Sequence, residues 1–109
     1  MNSLRDFKTY HIEKLKNPRQ ARAYLSLALA DFEQDNNVDD FLLAIRDVAQ
    51  AQGGLGKLAE TTNLNRQNLY KALSKEGNPR LETIGAVLNG LGFRLSVEPI
   101  GELDRMSTR

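Results

Sequence analysis

A chain of 109 residues with 40% hydrophobic and 27% charged side chains can bury one core of its own and is too short for two comfortable ones. The absence of cysteine excludes a disulfide framework and a thiolate metal site, and the longest apolar runs, such as YLSLALA from Tyr24 to Ala30, fall far short of the ~20 residues that span a bilayer. The net charge of +1 hides a division. Asp31, Glu33, Asp35, Asp39, Asp40 and Asp47 crowd one segment against Arg46 alone, whereas Lys57, Arg66, Lys71 and Lys75 stand in the next against Glu60 alone.

The opening MNSLRDFKTY lacks the basic-then-apolar pattern of a secretory signal, so a cytoplasmic location is expected. Residues 1–16 carry Leu4, Phe7, Tyr10, Ile12 and Leu15 without a clear period and read as an arm, extended or irregularly stranded, leading into the first clear helix. Asn17 followed by Pro18 is an N-cap with proline at the first helical position. Ala21, Tyr24, Leu25, Ala28, Leu29 and Phe32 then recur at helical spacing and predict an amphipathic helix from about Pro18 to Gln34. Asp35, Asn36 and Asn37 break it. Asn37 is placed to cap a second helix whose buried stripe is Phe41, Ile45, Val48 and Ala49, and Gly53-Gly54 close that helix through a left-handed C-terminal cap.

A short helix from Leu55 to Thr62 follows, burying Leu58 and Ala59, and then a turn at Thr62, Asn63 and Leu64. Asn65 caps the next helix, with Leu64 and Leu69 spaced as a hydrophobic staple. Gly77 stops the chain, and Asn78-Pro79 predict a further helix by the same cap-plus-proline logic, with Leu81, Ile84, Leu88 and Leu91 as its inner face. Gly85 and Gly90 each cost about 1 kcal/mol against alanine in an exposed helix interior, so close packing is the expected reason for at least one of them. After Gly92, the alternation of Phe93, Leu95 and Val97 with Arg94, Ser96 and Glu98 predicts a short strand ending at Pro99, and GELDRMSTR a flexible tail. A lone strand leaves its backbone groups unpaired, so it should pair with residues 1–16 or with its copy in a homodimer through residues 93–97.

Two short helices joined by a three-residue turn, with helices on either side, make a helix-turn-helix. Ala59 is small enough for the crossing, Asn63 tolerates the positive φ of the turn, and Leu64, Leu69, Ala72 and Leu73 can clamp the second helix from inside. Its outer positions then hold Arg66, Gln67, Tyr70, Lys71 and Ser74. Arginine suits guanine and glutamine suits adenine in the major groove, while Lys57, Lys71, Ser74 and Lys75 suit phosphates. The plain alternative is a solvated face on a short surface helix. The turn, the small residue at the crossing, the staple and the local positive charge together favour double-stranded DNA as the partner.

Other chemistries find little support. GGLGKL, Gly53 to Leu58, lacks the first glycine and the hydroxyl residue of a phosphate-binding loop. His11 is the only histidine and has no ligand set around it in the sequence, so no metal or other cofactor is expected. No nucleophile–base pairing is visible, and the chain does not read as an enzyme.

The run KLAETTNLNRQNLYKALSKEGNPRLETIGAVLNGLGFRLSVEP resembles the XRE/lambda-repressor-like helix-turn-helix group. More narrowly, LYKALS…GNP, the helix after it, the closing LGFRLSVEP and the upstream AYLSLALADFEQDNNVDDFLLAIRDVAQAQGG resemble the probable addiction-module antidote proteins, antitoxins of type II toxin–antitoxin operons. The resemblance covers about residues 18–100. It implies an all-α, five-helix lambda-repressor-like domain with an N-terminal arm or helix and a short C-terminal β-strand. It also implies a dimer that binds operator DNA to repress its own operon and neutralises a small basic toxin of the RelE/HigB-like kind. The base-reading positions fall on Asn65, Arg66, Gln67 and Tyr70, with Lys71 beside them among the phosphate contacts. The departures are Asn63 where glycine is usual and Thr62 where a larger apolar residue is common.

An RNA-cutting toxin presents a basic face, which carboxylates and an apolar helix can cover. The candidates are Asp31, Glu33, Asp35, Asp39 and Asp40, with Phe7, Tyr10 and Tyr24 as aromatic anchors. The competing account is that these acids cap and solvate helix ends, since Asp39 and Asp40 stand in a first turn. The chain divides on this basis into residues 1–36, an N-terminal arm and helix that bind toxin; residues 37–100, a DNA-binding domain; and residues 101–109, a tail. A stand-alone phage-type repressor and a pure protein-interaction module are the other functions compatible with the sequence.

Overall fold

The computed structural model describes residues 3–101, with side chains from Asp6 onward. Six helices follow one another among the described residues: α1 Ser3–Lys14, α2 Pro18–Asp35, α3 Asp39–Ala51, α4 Leu55–Thr62, α5 Arg66–Ala72 and α6 Leu81–Gly90. The all-α class expected from the sequence holds, but the five-helix count and the C-terminal β-strand do not. The extra helix is α1. Asp6 in its first turn and His11 and Lys14 in its last complement the helix dipole. Among its described side chains only those of the final turn face inward, through Ile12 and the following Leu15, while Phe7 and Tyr10 point to solvent. That split is why no helical stripe stands out in the sequence.

The strand fails for a connected reason. Residues 1–16, its candidate partner within the chain, are mostly wound into α1, and no described residue is assigned to a strand. From Arg94 to Ile100 the backbone makes no hydrogen bond to another described residue. Of the expected flexible tail, residues 102–109 lie outside the described residues.

The helix boundaries follow from local chemistry. Asn17 Oδ1 accepts the Arg19 N–H at 2.9 Å and starts α2. Asn36, at φ 58°, ends it in the left-handed region. Asn37 Oδ1 accepts the Asp39 N–H at 2.9 Å and so starts α3, although Val38 occupies the cap position itself. At the other end of α3, Gly54 N–H donates to Ala49 O at 2.8 Å and Gly53 N–H to Gln50 O at 3.3 Å. This is a Schellman closure, and it requires the positive φ of Gly53 (118°). The last helix starts at Leu81, not at Asn78-Pro79: Arg80 is the cap residue and makes no side-chain cap bond. The residue before a proline is held extended, which here keeps Asn78 out of a helix.

The core runs from Leu15 to Leu91 and centres on α3, whose Leu42, Ala44, Ile45 and Val48 are fully buried. α3 packs against α1, α2 and α4, and α4 in turn packs against α5 and α6. No described helix is long and apolar enough to cross a membrane.

The α4–α6 crossing is set by Gly90. A Cβ there would stand 2.6 Å from Thr62 Cγ2 and 2.8 Å from Leu58 Cδ1. At Gly85 the nearest atom is Leu95 Cδ1 at an ordinary 3.7 Å. Gly90→Ala is therefore expected to destabilise by about 1–3 kcal/mol through overpacking. Gly85→Ala should be neutral or stabilising by up to ~1 kcal/mol. Urea denaturation of the two variants checks the contrast.

Candidate nucleic-acid interface

The two helices of the motif are aimed by backbone chemistry. Asn63 adopts φ 61°, the left-handed conformation that a tight turn between α4 and α5 needs. Its neighbour Leu64 donates its N–H to Ala59 O at 3.2 Å. Asn65 sits extended and its Oδ1 accepts from Gln67 N (2.8 Å) and Asn68 N (3.0 Å), filling two of the donors that a helix start leaves open. Leu69 and Leu73 are buried beneath α5, with Leu64 packed against the core at its entry. Thr62 fits its place: its hydroxyl donates to Leu58 O at 2.8 Å, and its methyl occupies the space that Gly90 leaves open.

With α5 clamped from below, Arg66, Gln67, Tyr70 and Lys71 line one shallow depression on its outer side. Tyr70 is 62% exposed among them. The Arg66 guanidinium lies over the first turn of α4, its carbon 3.8 Å from where a Cβ on Gly56 would stand. Lys57, Lys71 and Lys75 are exposed, Lys57 in the hollow it lines with Gly54, Thr61 and Gly90, and among the described residues none of them, nor Arg66, makes a salt bridge. Two of the residues singled out from the sequence are partly committed to structure. Asn65 spends its Oδ1 on the cap, and Ser74 donates its hydroxyl to Lys71 O at 2.8 Å.

The acidic residues collect elsewhere. Asp31, Glu33 and Asp35 finish α2 and Asp39 and Asp40 begin α3, so they share one end of that helix pair. Asp35 Oδ1 accepts the Asn37 N–H at 2.9 Å, a turn contact. The basic helices leave from the opposite end of α3, whose 13 residues separate the two ends by about 20 Å.

Of the expected aromatic anchors, Phe7 (70% exposed) and Tyr10 (62%) stand one turn apart on α1, with Lys14 Nζ 5.6 Å from the Tyr10 ring centre. Tyr24 does not join them. Its hydroxyl donates to Asp47 Oδ2 at 2.7 Å, and the His11 ring meets it edge-on at 4.7 Å. His11 Nε2 lies 3.5 Å from the same Asp47 oxygen. This polar cluster joins α1, α2 and α3, and sequence reasoning missed it. The available signal was Asp47 itself, a carboxylate three residues from buried Ala44 and next to buried Val48. Among the described residues no three His, Cys, Asp or Glu side chains come together as a metal site.

Comparison with known proteins bears on most of the chain. A family model described as probable addiction module antidote protein matches residues 5–99. A protein of Haemophilus influenzae strain Rd, described as an uncharacterized protein, is 32% identical over 95 residues, covering 87% of this chain and 91% of its own length. No solved structure matches.

Burial, the hydrogen bond to Asp47 and the charges of Asp47 and Asp40 together push the Tyr24 hydroxyl well above its ordinary pKa of 10.0. A folded-state pKa raised in this way contributes stability that is complete below the unfolded value, about pH 10, and is lost as pH rises toward the folded value. Tyr24→Phe is expected to cost about 1 kcal/mol at pH 7 through the lost hydrogen bond. It should also lose less additional stability than the parent protein between neutral pH and about pH 10.5. Urea denaturation at the two pH values measures both effects.

Proposed function

The chain belongs to the probable addiction module antidote family, and on that basis we propose that it is the antitoxin of a type II toxin–antitoxin module that binds its operator DNA as a dimer. In this reading α4 and α5 are an XRE/lambda-repressor-like helix-turn-helix, and α5 is the helix that enters the major groove. The observation that supports it best is the outer face of α5. Arg66, Gln67, Tyr70 and Lys71 are exposed together there on a helix held by Leu69 and Leu73, with no acidic partner among the described residues.

Arg66 and Gln67 read base edges, with Tyr70 and the amide group of Asn65 beside them. Lys57, Lys71 and Lys75 contact phosphates at the margins, with Ser74 at the end of α5. A two-fold dimer presents two copies of α5 about 34 Å apart, one turn of DNA, as a palindromic operator requires. The protein represses its own operon by occupying that site and acts by binding, without catalysis.

The toxin is a small basic protein of the RelE/HigB-like kind, held by residues 1–36. Exposed Phe7 and Tyr10 supply the apolar anchors and Asp31 and Asp35 the charge. Tyr24, half-buried with its hydroxyl bonded to Asp47, can offer only the exposed part of its ring to that contact. Residues 37–100 serve DNA, and residues 101–109 are a tail.

Fluorescence anisotropy with the DNA upstream of the gene tests the DNA assignment. Arg66→Ala and Gln67→Ala are each expected to lose about 1–3 kcal/mol on the specific site and much less on random DNA. Lys71→Ala should weaken both alike and lower the salt slope by about one ion. Equal losses on specific and random DNA for all three variants would contradict the division of roles, and a flat titration of the parent protein at low salt would refute DNA binding.

A further inference from the structure

After α6 the chain lies along the outer side of α2, and a groove of about 590 Å³ opens between them, floored by Leu25, Phe41 and Leu88. Three apolar side chains crowd the rim of this segment in the open: Leu95 is 39% exposed, Val97 98% and Ile100 84%. Single exposed apolar residues need no explanation, but three within six positions mark a contact surface. The backbone from Arg94 to Ile100 is uncommitted to any other described residue. Arg94 and Glu98 are exposed, and neither forms a salt bridge among the described residues.

The order of these residues suits a second copy of the same segment. Arg94-Leu95-Ser96-Val97-Glu98 keeps its pattern when reversed, except that the charges change sign. Two copies laid antiparallel about a two-fold axis at Ser96 place each Arg94 against the partner's Glu98 and each Leu95 against the partner's Val97. A surface that meets itself must be self-complementary in this way. A surface for a basic toxin or for DNA would carry a single sign. We propose that a second copy of this chain docks here, through Arg94 to Ile100 and the adjoining groove on α2. This rests on the dimeric reading of the protein and specifies its interface.

Sedimentation of the full chain with Arg94→Glu and Glu98→Arg tests the proposal. Both positions are exposed and distant in sequence from α5, and circular dichroism confirms that the variants keep their helices. Each variant alone sets like charges against each other in both symmetric pairs, and its dimer should dissociate at least about tenfold more readily at low salt. Mixing the two variants should restore a dimer, because the paired carboxylates of one then face the paired guanidinium groups of the other.

Single variants that dimerise like the parent protein would overturn this interface while leaving the dimer itself standing. So would a mixture that fails to recover, or substitutions that change toxin affinity and not self-association. A parent protein that stays monomeric at micromolar concentration would overturn both the interface and the dimer. DNA binding is read separately by anisotropy, so its failure is distinguishable from either.

Discussion

Almost everything else in this molecule leans on the burial of α3. Its Leu42, Ala44, Ile45 and Val48 have no exposed surface, and α1, α2 and α4 each pack against it. Replacing one of its large side chains with alanine would open a cavity where three neighbouring helices converge, the kind of change that costs about 2–5 kcal/mol. Burial also decides what α3 holds apart. Its first turn carries Asp39 and Asp40, and its last runs into Gly53 and Gly54, whose backbone turns the chain into α4. A rigid rod thus separates an acidic end from a basic one. A net charge of +1 gives no hint of that polarity.

Polar residues do two kinds of work around the α4–α5 turn, and the structure sorts them. Asn63 supplies the left-handed turn and Asn65 the cap, while Thr62 and Gly90 are matched in size across the α4–α6 crossing. None of these needs a ligand to account for it. Arg66, Gln67, Tyr70 and Lys71 have no comparable structural duty, since α5 is anchored from its other side. The cost of leaving such a cluster exposed and unpaired is small in water, and in the proposed reading an anionic surface supplies its partner.

The parts of the fold legible in the sequence were those where one residue decides a local event. Asn17 starts α2, Gly53-Gly54 close α3, and Asn63 and Asn65 shape the turn, all from chemistry within a few positions. The helix α1 was not legible because its inward surface is short and its aromatic residues face out. The strand at residues 93–97 was a sound reading of period two, but the segment it needed within the chain is helical. The start of α6 was misplaced because Asn78-Pro79 can open a turn as well as a helix. The contact of His11 with Tyr24 and Asp47 joins residues far apart in the chain, and no local pattern encodes it. The outer residues of α5 were legible because they follow helical spacing from a well-marked cap, whereas Tyr24 had one reading as an anchor and another as core.

We propose that one chain offers DNA the α4–α5 face and keeps a different surface, at the N-terminal segment and the acidic end of α2, for a toxin. Hydrogen exchange of the full chain, alone and then with its upstream DNA, tests this most directly. The account predicts new protection concentrated in the peptides covering α4, the turn and α5, with α1 and the end of α2 unchanged until toxin is added. Protection by DNA at α1 and the acidic end, with α5 left as it was, would contradict it.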